Sequence, residues 1–317
     1  MPIKYDDMDA DFDIESNQLQ TKLRSIQPET LPETLHHYTS ASGLLGILNS
    51  KTMWATNYRF LNDSSEITYG ADLLSSILSE LLTTHENSDV VTFLERCKLT
   101  HNAFDGILDC YVSCLCEDSN LLSQWREYAS QGGGFALGFE ASRIGMNFDM
   151  EQQSRRSDIW LCKVIYDEEL QREIITDILI RAITVIEKAQ EKYPNESLEM
   201  IIARSCKFVR VEVFPYLACF KHPCFSVEKE WRVIHFTGPS DTTHVKFREG
   251  NYGLTPFVEL DIKPTIGAYR NRLPLRVITV GPTSDPSNTK YALELLLRNG
   301  DYFMPEIVGS NLPVRKI

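Results

Sequence analysis

The sequence predicts an α+β protein in which helices pack on a mixed sheet. Short runs of apolar, β-branched and aromatic residues predict strands, and they occur in the first half of the chain and again near its end. Between these two parts, residues 168–219 carry helical spacing that is interrupted near Tyr193. No linker-like composition divides the chain. We therefore expect one domain over residues 31–317, with residues 168–219 as a helical insertion and residues 1–30 as a solvated acidic tail.

Each predicted element rests on a local pattern. Leu73, Ile77 and Leu81 recur at helical spacing and predict a core-facing helix, and Gly300 is the expected C-cap of the last helix. The glycines at 132–134 predict a turn that needs a close backbone approach. The predicted strands lie at residues 35–38, 53–57, 109–116, 135–139, 161–166, 231–235, 256–262 and 276–282, and further helices are expected at 44–48, 121–128 and 291–299.

The composition excludes several classes of protein. The chain has 317 residues, of which 43% are hydrophobic, and this is enough for a sizeable core. Its formal net charge of −12 argues against wholesale binding to nucleic acid or to an anionic membrane. No apolar run is long enough to cross a bilayer, and the acidic start does not resemble a signal peptide. We expect a cytoplasmic protein whose eight cysteines are reduced.

The segment from residue 35 to residue 48 is the richest in chemistry. Its strand ends in His36 and His37, and Thr39 and Ser40 then offer hydroxyls that can cap a following helix. Such a polar strand end before a helix start suits an anionic or nucleotide ligand. A structural histidine pair at a strand end explains the same residues equally well, so both interpretations stay open here.

Further candidate residues follow along the chain. Of the reactions considered, glycosyl transfer from a nucleotide sugar fits these residue types best. A serine or cysteine hydrolase is disfavoured because no nucleophile lies in a G-x-S-x-G turn, and a metal site is disfavoured because the histidines are few and scattered. Glycosyl transfer needs a carboxylate, hydrogen bonds to ribose and an aromatic surface. A surface salt-bridge pair is the alternative for the two glutamates. The candidates are His36 or His37, Tyr38, Trp54, Asn57, Ser113, Trp125, Tyr128, Lys221, Glu228, Glu230 and Arg232.

Six short motifs in this order resemble the bacterial family known as domain of unknown function 2971. The resemblance covers most of the chain from about residue 34 onward, and the family name carries no activity. The motifs are LHHYTS at 35–40, WATN at 54–57, LND with Glu66 at 61–66, WREY at 125–128 before a glycine, EKEWR at 228–232 and the ending GP at 281–282 with SNLPVR at 310–315.

A more distant resemblance is to the ADP-ribosyltransferase fold, whose members also open with a strand ending in His plus Thr or Ser before a helix. This likeness implies a mixed, mostly antiparallel split sheet. It implies that His37, together with Tyr38 and Thr39, binds the ribose of NAD, and that Glu230 or else Glu228 is catalytic. Its middle element matches either Ser113 or a stacking aromatic at Trp125 or Tyr128, and Trp54, Asn57 and Arg232 complete the expected NAD site.

From these resemblances we expect an NAD-dependent ADP-ribosyltransferase-like enzyme without a metal, acting as a toxin or phage-defence effector on a protein or nucleic-acid acceptor. The alternative is a non-enzymatic module that binds a nucleotide or a protein in the same pocket and works as a sensor. A third interpretation gives the motif residues structural roles alone. The distance between His37 and Glu230 discriminates among them, because the enzyme needs both in one cleft.

Overall fold

The computed structural model describes residues 7–61, 65–100, 109–128, 133–144, 159–238, 241–250, 253–264, 272–282, 285–300, 302 and 304–312. Strands and helices are both abundant there, which confirms the predicted α+β class. The helices are α1 (Asp7–Ile26), α2 (Ala41–Ser50), α3 (Ser65–Thr84), α4 (Ser88–Thr100), α5 (Leu122–Tyr128), α6 (Glu168–Glu187), α7 (Ala189–Lys192), α8 (Leu198–Leu217) and α9 (Pro286–Asn299). The strands are β1 (Thr34–Thr39), β2 (Met53–Asn57), β3 (Asp109–Cys116), β4 (Phe135–Glu140), β5 (Ile159–Lys163), β6 (Glu230–Thr237), β7 (Lys246–Gly250), β8 (Gly253–Leu260), β9 (Leu275–Val280) and β10 (Glu306–Gly309).

The acidic start of the chain is a packed helix, which corrects the predicted solvated tail at 1–30. Met8 and Leu19 on α1 are almost fully buried, and Phe12 stacks on Phe208 of α8. Met8, Phe12 and Leu19 are separated by four and then seven residues, a helical spacing. Two acidic residues between them pair with cations of the helical insertion, Asp11 with Lys192 and Glu15 with Arg181. The charge that suggested a tail is therefore complementary to a neighbouring helix.

One helical layer covers part of the sheet. Residues 168–219, the predicted helical insertion, carry α6, α7 and α8. These helices share one apolar cluster with α1, α3 and α4, and Cys110, Val112 and Ile234 of the sheet also belong to it. The insertion is thus part of the main core. A second apolar cluster lies on the other side of the sheet and includes α2, α9 and strand residues such as Leu115 and Trp231.

The sheet forks at β3. The strand order is β10-β9-β4-β1-β3-β2-β8-β7, and β6 pairs along β3 with β5 beyond it. β6 covers the full length of one edge of β3. The other edge is shared, because β1 pairs near Cys116 whereas β2 pairs at Val112 and Tyr111. All these pairings are antiparallel except β9 with β10, so the described strands form a mixed and mostly antiparallel sheet that splits between β1 and β2.

The register assigns each side chain to one of two faces. Directly paired residues of neighbouring strands project to the same face, and successive residues alternate. His36 pairs with Cys116, and Cys116 pairs with Glu230. We call the face that carries these three residues the front face. The face that carries His37 and Ser113 is the back face.

Candidate functional site

The front face carries a row of reactive side chains from three adjacent strands. His36, Cys116 and Glu230 lie side by side on β1, β3 and β6. Neighbouring strands are about 4.8 Å apart, so the Cα atoms of His36 and Glu230 are separated by roughly 10 Å. Cys116 belongs to a small apolar cluster with Tyr38 and Trp125, and other front-face residues of β3 and β6 belong to the apolar cluster of the helical layer. The row therefore forms a polar strip inside an otherwise apolar layer.

Glu230 is the centre of a buried network of four charges. Its Oε2 accepts a hydrogen bond from Lys221 Nζ at 2.7 Å, and its Oε1 accepts one from Arg232 Nε at 2.8 Å. Lys221 Nζ also donates to Glu228 Oε2 at 2.8 Å, and Arg232 donates to the carbonyl of Ala218. Burial alone raises the pKa of Glu230, but Arg232 and Lys221 outweigh it and lower the pKa to about 2. Both carboxylate oxygens of Glu230 are thus engaged by cations.

A tight turn brings the two glutamates onto the same lysine. The short 3₁₀ helix Pro223–Glu228 ends at Lys229, whose φ of 44° is left-handed. This turn directly precedes β6, and Tyr166 Oη accepts a hydrogen bond from the amide of Glu230 at 3.1 Å. On the other side, Gln171 donates to the carbonyl of Lys221 at 3.0 Å. The backbone on both sides of the network is therefore held in place.

His36 is buried, and its ring nitrogen Nδ1 is unsatisfied in the described structure. Its side chain is only 8% exposed, and Nδ1 has no hydrogen-bond partner among the described residues. Burial lowers the pKa of His36 to about 4, against a smaller opposing effect of Asp118, so the imidazole is neutral at pH 7. Its ring lies above Gly138, where an added Cβ would be 2.9 Å from Nδ1.

Thr279 is a second unsatisfied polar group near His36. It lies on the front face because it pairs with Ala136, which in turn pairs with Tyr38 of β1. It is 2% exposed, and its Oγ1 finds no partner within the described part of the chain. The small residues Ala136 and Gly138 separate the two unsatisfied groups. Unsatisfied polar atoms at such burial are uncommon, and a bound molecule or an ordered water can supply their missing bonds.

Gly138 is expected to be intolerant of a side chain. An alanine Cβ at this position would be 2.4 Å from Cγ1 of Val277 and would press on the ring of His36. Gly138→Ala should lower the free energy of unfolding by about 1–3 kcal/mol, because overpacking forces neighbours to move. Urea denaturation measures this change, with Val277→Ala in the same protein expected to restore part of it. A Gly138→Ala protein as stable as the wild type would contradict the observed packing of the His36 ring.

Tyr38 and Trp125 are on the front face but do not offer a stacking surface. Their rings meet edge to face at a centroid distance of 4.8 Å, and both are at most 3% exposed. Tyr38 Oη accepts from the amide of Leu121 at 2.9 Å and donates to the carbonyl of Asp118 at 2.8 Å. Trp125 Nε1 donates to Asn120 Oδ1 at 3.0 Å. These aromatics fasten the turn after β3 to β1.

The terminal motif joins the same turn. Ser310 Oγ donates to Asn120 Oδ1, and Asn120 Nδ2 donates to Asn311 Oδ1, both at 2.6 Å. The amide of Ser310 bonds to the carbonyl of Val280 on β9. Motifs that are far apart in sequence are thus close in space, and their contacts are structural. Residues 313–317 lie outside the described part of the chain.

His37 has a structural partner at the fork, on the back face. Its Nδ1 donates to the carbonyl of Cys114 at 2.8 Å, and Ser113 Oγ is 3.5 Å from the same nitrogen. Cys114 lies on β3 between the stretches paired with β1 and β2, so the ring supplies a hydrogen bond that a strand would otherwise provide. Burial lowers the pKa of His37 despite this bond.

The other predicted ribose-binding residues also have local roles. Thr39 is buried against Gly43 of α2, where its Oγ1 would be 2.0 Å from an added Cβ. Asn57 caps the 3₁₀ helix Tyr58–Phe60 by accepting from the amide of Arg59 at 3.1 Å. Trp54 packs on Phe257 and donates to Ser50. None of these contacts requires a ligand.

The structure divides the predicted site into two groups. The expectation that His37 and Glu230 share one cleft is wrong, because the register places them on opposite faces of the sheet. The side chain of Tyr128 lies outside the described residues, and so do Asn62 and Asp63 of the LND motif. The front group contains Tyr38, Trp125, Glu228, Glu230 and Arg232, and the back group contains His37, Thr39, Asn57 and Ser113. Trp54 projects from the same face as Thr56 of β2, on the other side of the fork from β1, and packs on Phe257.

The distant resemblance favoured His37 over His36, and the sequence patterns did not indicate Thr279. His36 is the histidine that shares a face with Glu230, and Lys221 is the residue that links the two glutamates. Strand alternation groups His36 with Tyr38, but the sequence alone does not say which of the two faces Glu230 occupies. Thr279 sits in an ordinary apolar strand pattern, which carried no signal.

No described helix combines the length and the apolar character that a membrane span requires. Within the same residues, no group of three or more His, Cys, Asp or Glu side chains is arranged to hold a metal ion.

Comparison with known proteins yields one match. The model of a family described as a protein of unknown function, DUF2971, matches residues 124–233. Neither a curated protein nor a solved structure matches the chain, so no match supports the resemblance to ADP-ribosyltransferases. The matched range includes Trp125, Lys221 and the glutamates of the buried network. Residues 124–233 thus match the model of the DUF2971 family, the family that the sequence motifs resemble.

Proposed function

We propose that this protein is a non-enzymatic module that binds a nucleotide through its ribose on the front face. The observation that carries the proposal is the unsatisfied Nδ1 of His36, a buried atom in the same row as Glu230. Thr279 Oγ1 is a second unsatisfied group on that face. A ligand that bonds both would replace the hydrogen bonds that the chain itself leaves unmade.

The chemistry of the two groups favours hydroxyls over phosphate. A neutral imidazole and a threonine hydroxyl can each donate or accept a hydrogen bond, as the hydroxyls of a ribose can. A phosphate is bound best by unpaired cations or by several amide donors. Lys221 and Arg232, the cations nearest to the row, are already paired with Glu228 and Glu230. The ribose is therefore the part of a nucleotide that this face can recognise.

The same network argues against Glu230 as the carboxylate of a transferase. A glycosyl-transfer carboxylate must approach the developing oxocarbenium charge. Each oxygen of Glu230 instead contacts a cation within 2.8 Å. His37, the residue expected to hold the ribose beside it, points to the other face. NAD is accordingly proposed as one nucleotide ligand among several. An effector role in toxicity or phage defence stays a prediction, as does a macromolecular acceptor in the cytoplasm.

Thermal unfolding with matched ligands tests the proposal. Adenosine should raise the melting temperature, whereas 2′,3′-dideoxyadenosine, which lacks both hydroxyls, should raise it far less at the same concentration. His36→Leu should abolish the difference, and His244→Leu, which removes an exposed histidine, should preserve it. Equal stabilisation by the two nucleosides, or none by either, would overturn ribose recognition. Incubation with NAD should release no nicotinamide, and steady release would favour the transferase.

A further inference from the structure

A pair of thiols joins two helices away from the front-face network. Cys97 lies in the last turn of α4, and Cys206 lies in α8. The S–H of Cys97 donates to the sulfur of Cys206 across 3.5 Å. A disulfide requires a sulfur–sulfur distance of about 2.05 Å, so only a small movement of the side chains separates this pair from a bond.

The charges around the pair make the two thiols unequal. The hydrogen bond from Cys97 is the main cause that lowers the pKa of Cys206, and Arg96 and Arg210 lower it further, while burial and Glu199 oppose them. The same hydrogen bond raises the pKa of Cys97, and burial adds to this effect. The hydrogen bond thus favours ionisation of Cys206 over that of Cys97, and both residues are buried, with 3% and 4% of their surfaces exposed. This is the arrangement of an attacking and a resolving cysteine.

We infer that Cys206 and Cys97 form a peroxide-sensitive dithiol that links α4 to α8 when oxidised. The Cys206 thiolate attacks one oxygen of hydrogen peroxide, the O–O bond breaks, and the departing hydroxide takes a proton to become water. Cys206 is then a sulfenic acid. The Cys97 thiol attacks its sulfur, the S–S bond forms, and a second water leaves. Two thiols lose two electrons in total, and the peroxide gains them.

A second thiol pair provides an internal control. The sulfurs of Cys162 and Cys219 are only 2.9 Å apart, and both residues are buried between the sheet and the helical layer. The hydrogen bond with Cys219 and burial raise the pKa of Cys162 well above its usual value, although Arg232 opposes them. Distance alone predicts that this pair oxidises first. The charges predict instead that Cys97 and Cys206 do.

Peptide mapping of the full-length protein distinguishes these orders. The reduced protein is treated with hydrogen peroxide, remaining thiols are alkylated, and the digest is searched for disulfide-linked peptides. We expect the Cys97–Cys206 peptide, lighter by two hydrogens than its reduced parts, to appear before any Cys162–Cys219 peptide. Cys162→Ser should leave its rate of formation unchanged. Earlier formation of the Cys162–Cys219 peptide, or failure of Cys97–Cys206 to form, would overturn the inference.

Single substitutions test the two roles within the pair. With Cys97→Ser, dimedone should trap a sulfenic acid at Cys206, because the resolving thiol is absent. With Cys206→Ser, dimedone should label Cys97 no faster than Cys162. Arg210→Gln should slow oxidation roughly three- to tenfold, whereas Arg210→Lys keeps the charge and should retain most of the rate. Trapping of a sulfenic acid at Cys97 in preference to Cys206 would contradict the assigned roles of the two cysteines. The peptide mapping of the wild-type protein keeps the test valid if a variant folds poorly.

Discussion

Glu230→Ala is expected to lower the free energy of unfolding by about 3–5 kcal/mol, because it takes the Glu230 counter-charge away from the buried Arg232 guanidinium. Lys221 Nζ and Arg232 Nε both donate to this carboxylate, and the Arg232 side chain is 2% exposed. The remaining partner of Lys221 is Glu228, whereas Arg232 retains the carbonyl of Ala218. A neutral carbonyl does not balance a guanidinium charge in the core.

Urea denaturation of the purified protein measures this loss. The matched control is Glu173→Ala, because Glu173 pairs with Lys22 at the surface and is 64% exposed. Exposed ion pairs contribute little, so the control should unfold close to the wild-type midpoint. A Glu230→Ala protein with the stability of the control would contradict the buried network.

Replacing both Glu230 and Arg232 should be milder than replacing Glu230 alone. A double variant to methionine removes a whole ion pair and leaves Lys221 paired with Glu228. Well-packed apolar replacements of buried ion pairs are often close to neutral in stability. The double variant should therefore recover part of the loss, and the double-mutant cycle measures the coupling directly.

The pH dependence of the network follows from the pKa of Glu230. That pKa falls from 4.5 to about 2 on folding, so the folded state holds the carboxylate ionised more strongly than the unfolded chain does. This contribution to stability is present above about pH 4.5 and disappears as the pH falls through about 2.

His36 is expected to make the protein less stable as the pH falls from about 6.5 to about 4. Burial lowers the pKa of His36 from 6.5 to about 4 in the folded protein. In this interval His36 is protonated in the unfolded chain but not in the folded protein, so acid favours unfolding. The difference corresponds to at most about 3 kcal/mol. Stability from this source is complete above pH 6.5 and is lost toward pH 4.

His36→Leu should remove most of this pH dependence. Above pH 7 it should leave the free energy of unfolding unchanged or slightly higher, because a buried nitrogen without a partner is removed. His37→Leu should behave differently at the same pH. It leaves the carbonyl of Cys114 without its donor and should cost about 1–3 kcal/mol. Urea midpoints at several pH values measure both effects, and equal behaviour of the two variants would contradict their assignment to opposite faces.

Residue patterns predicted the architecture well where they report on local structure. The strands, the helices at 168–219 and the mostly antiparallel split sheet follow from spacing and family likeness. The helix α1 did not, because an acidic composition looks the same in a tail and on a helix that faces arginines. Glu15 and Arg181 illustrate this, since they are far apart in sequence and paired in the fold.

The site was predicted only in part because its geometry depends on strand register. The front group of Tyr38, Trp125, Glu228, Glu230 and Arg232 contains residues chosen from the sequence. Which histidine joins them is decided by a single step along β1, because side chains alternate with a period of two and a one-residue shift exchanges the faces. Likeness to a distant family selected His37, and the pairing of His36 with Cys116 selects His36.

Nitrogen NMR of the histidine side chains during titration with adenosine tests the central claim most directly. With both residues assigned through His36→Leu and His37→Leu, the Nδ1 resonance of His36 should move as it gains a hydrogen-bond partner. The resonance of His37 should stay in place, because its Nδ1 is already bonded to Cys114. A shift of His37 with His36 unchanged, or no shift of either at saturating adenosine, would contradict a ribose site on the front face.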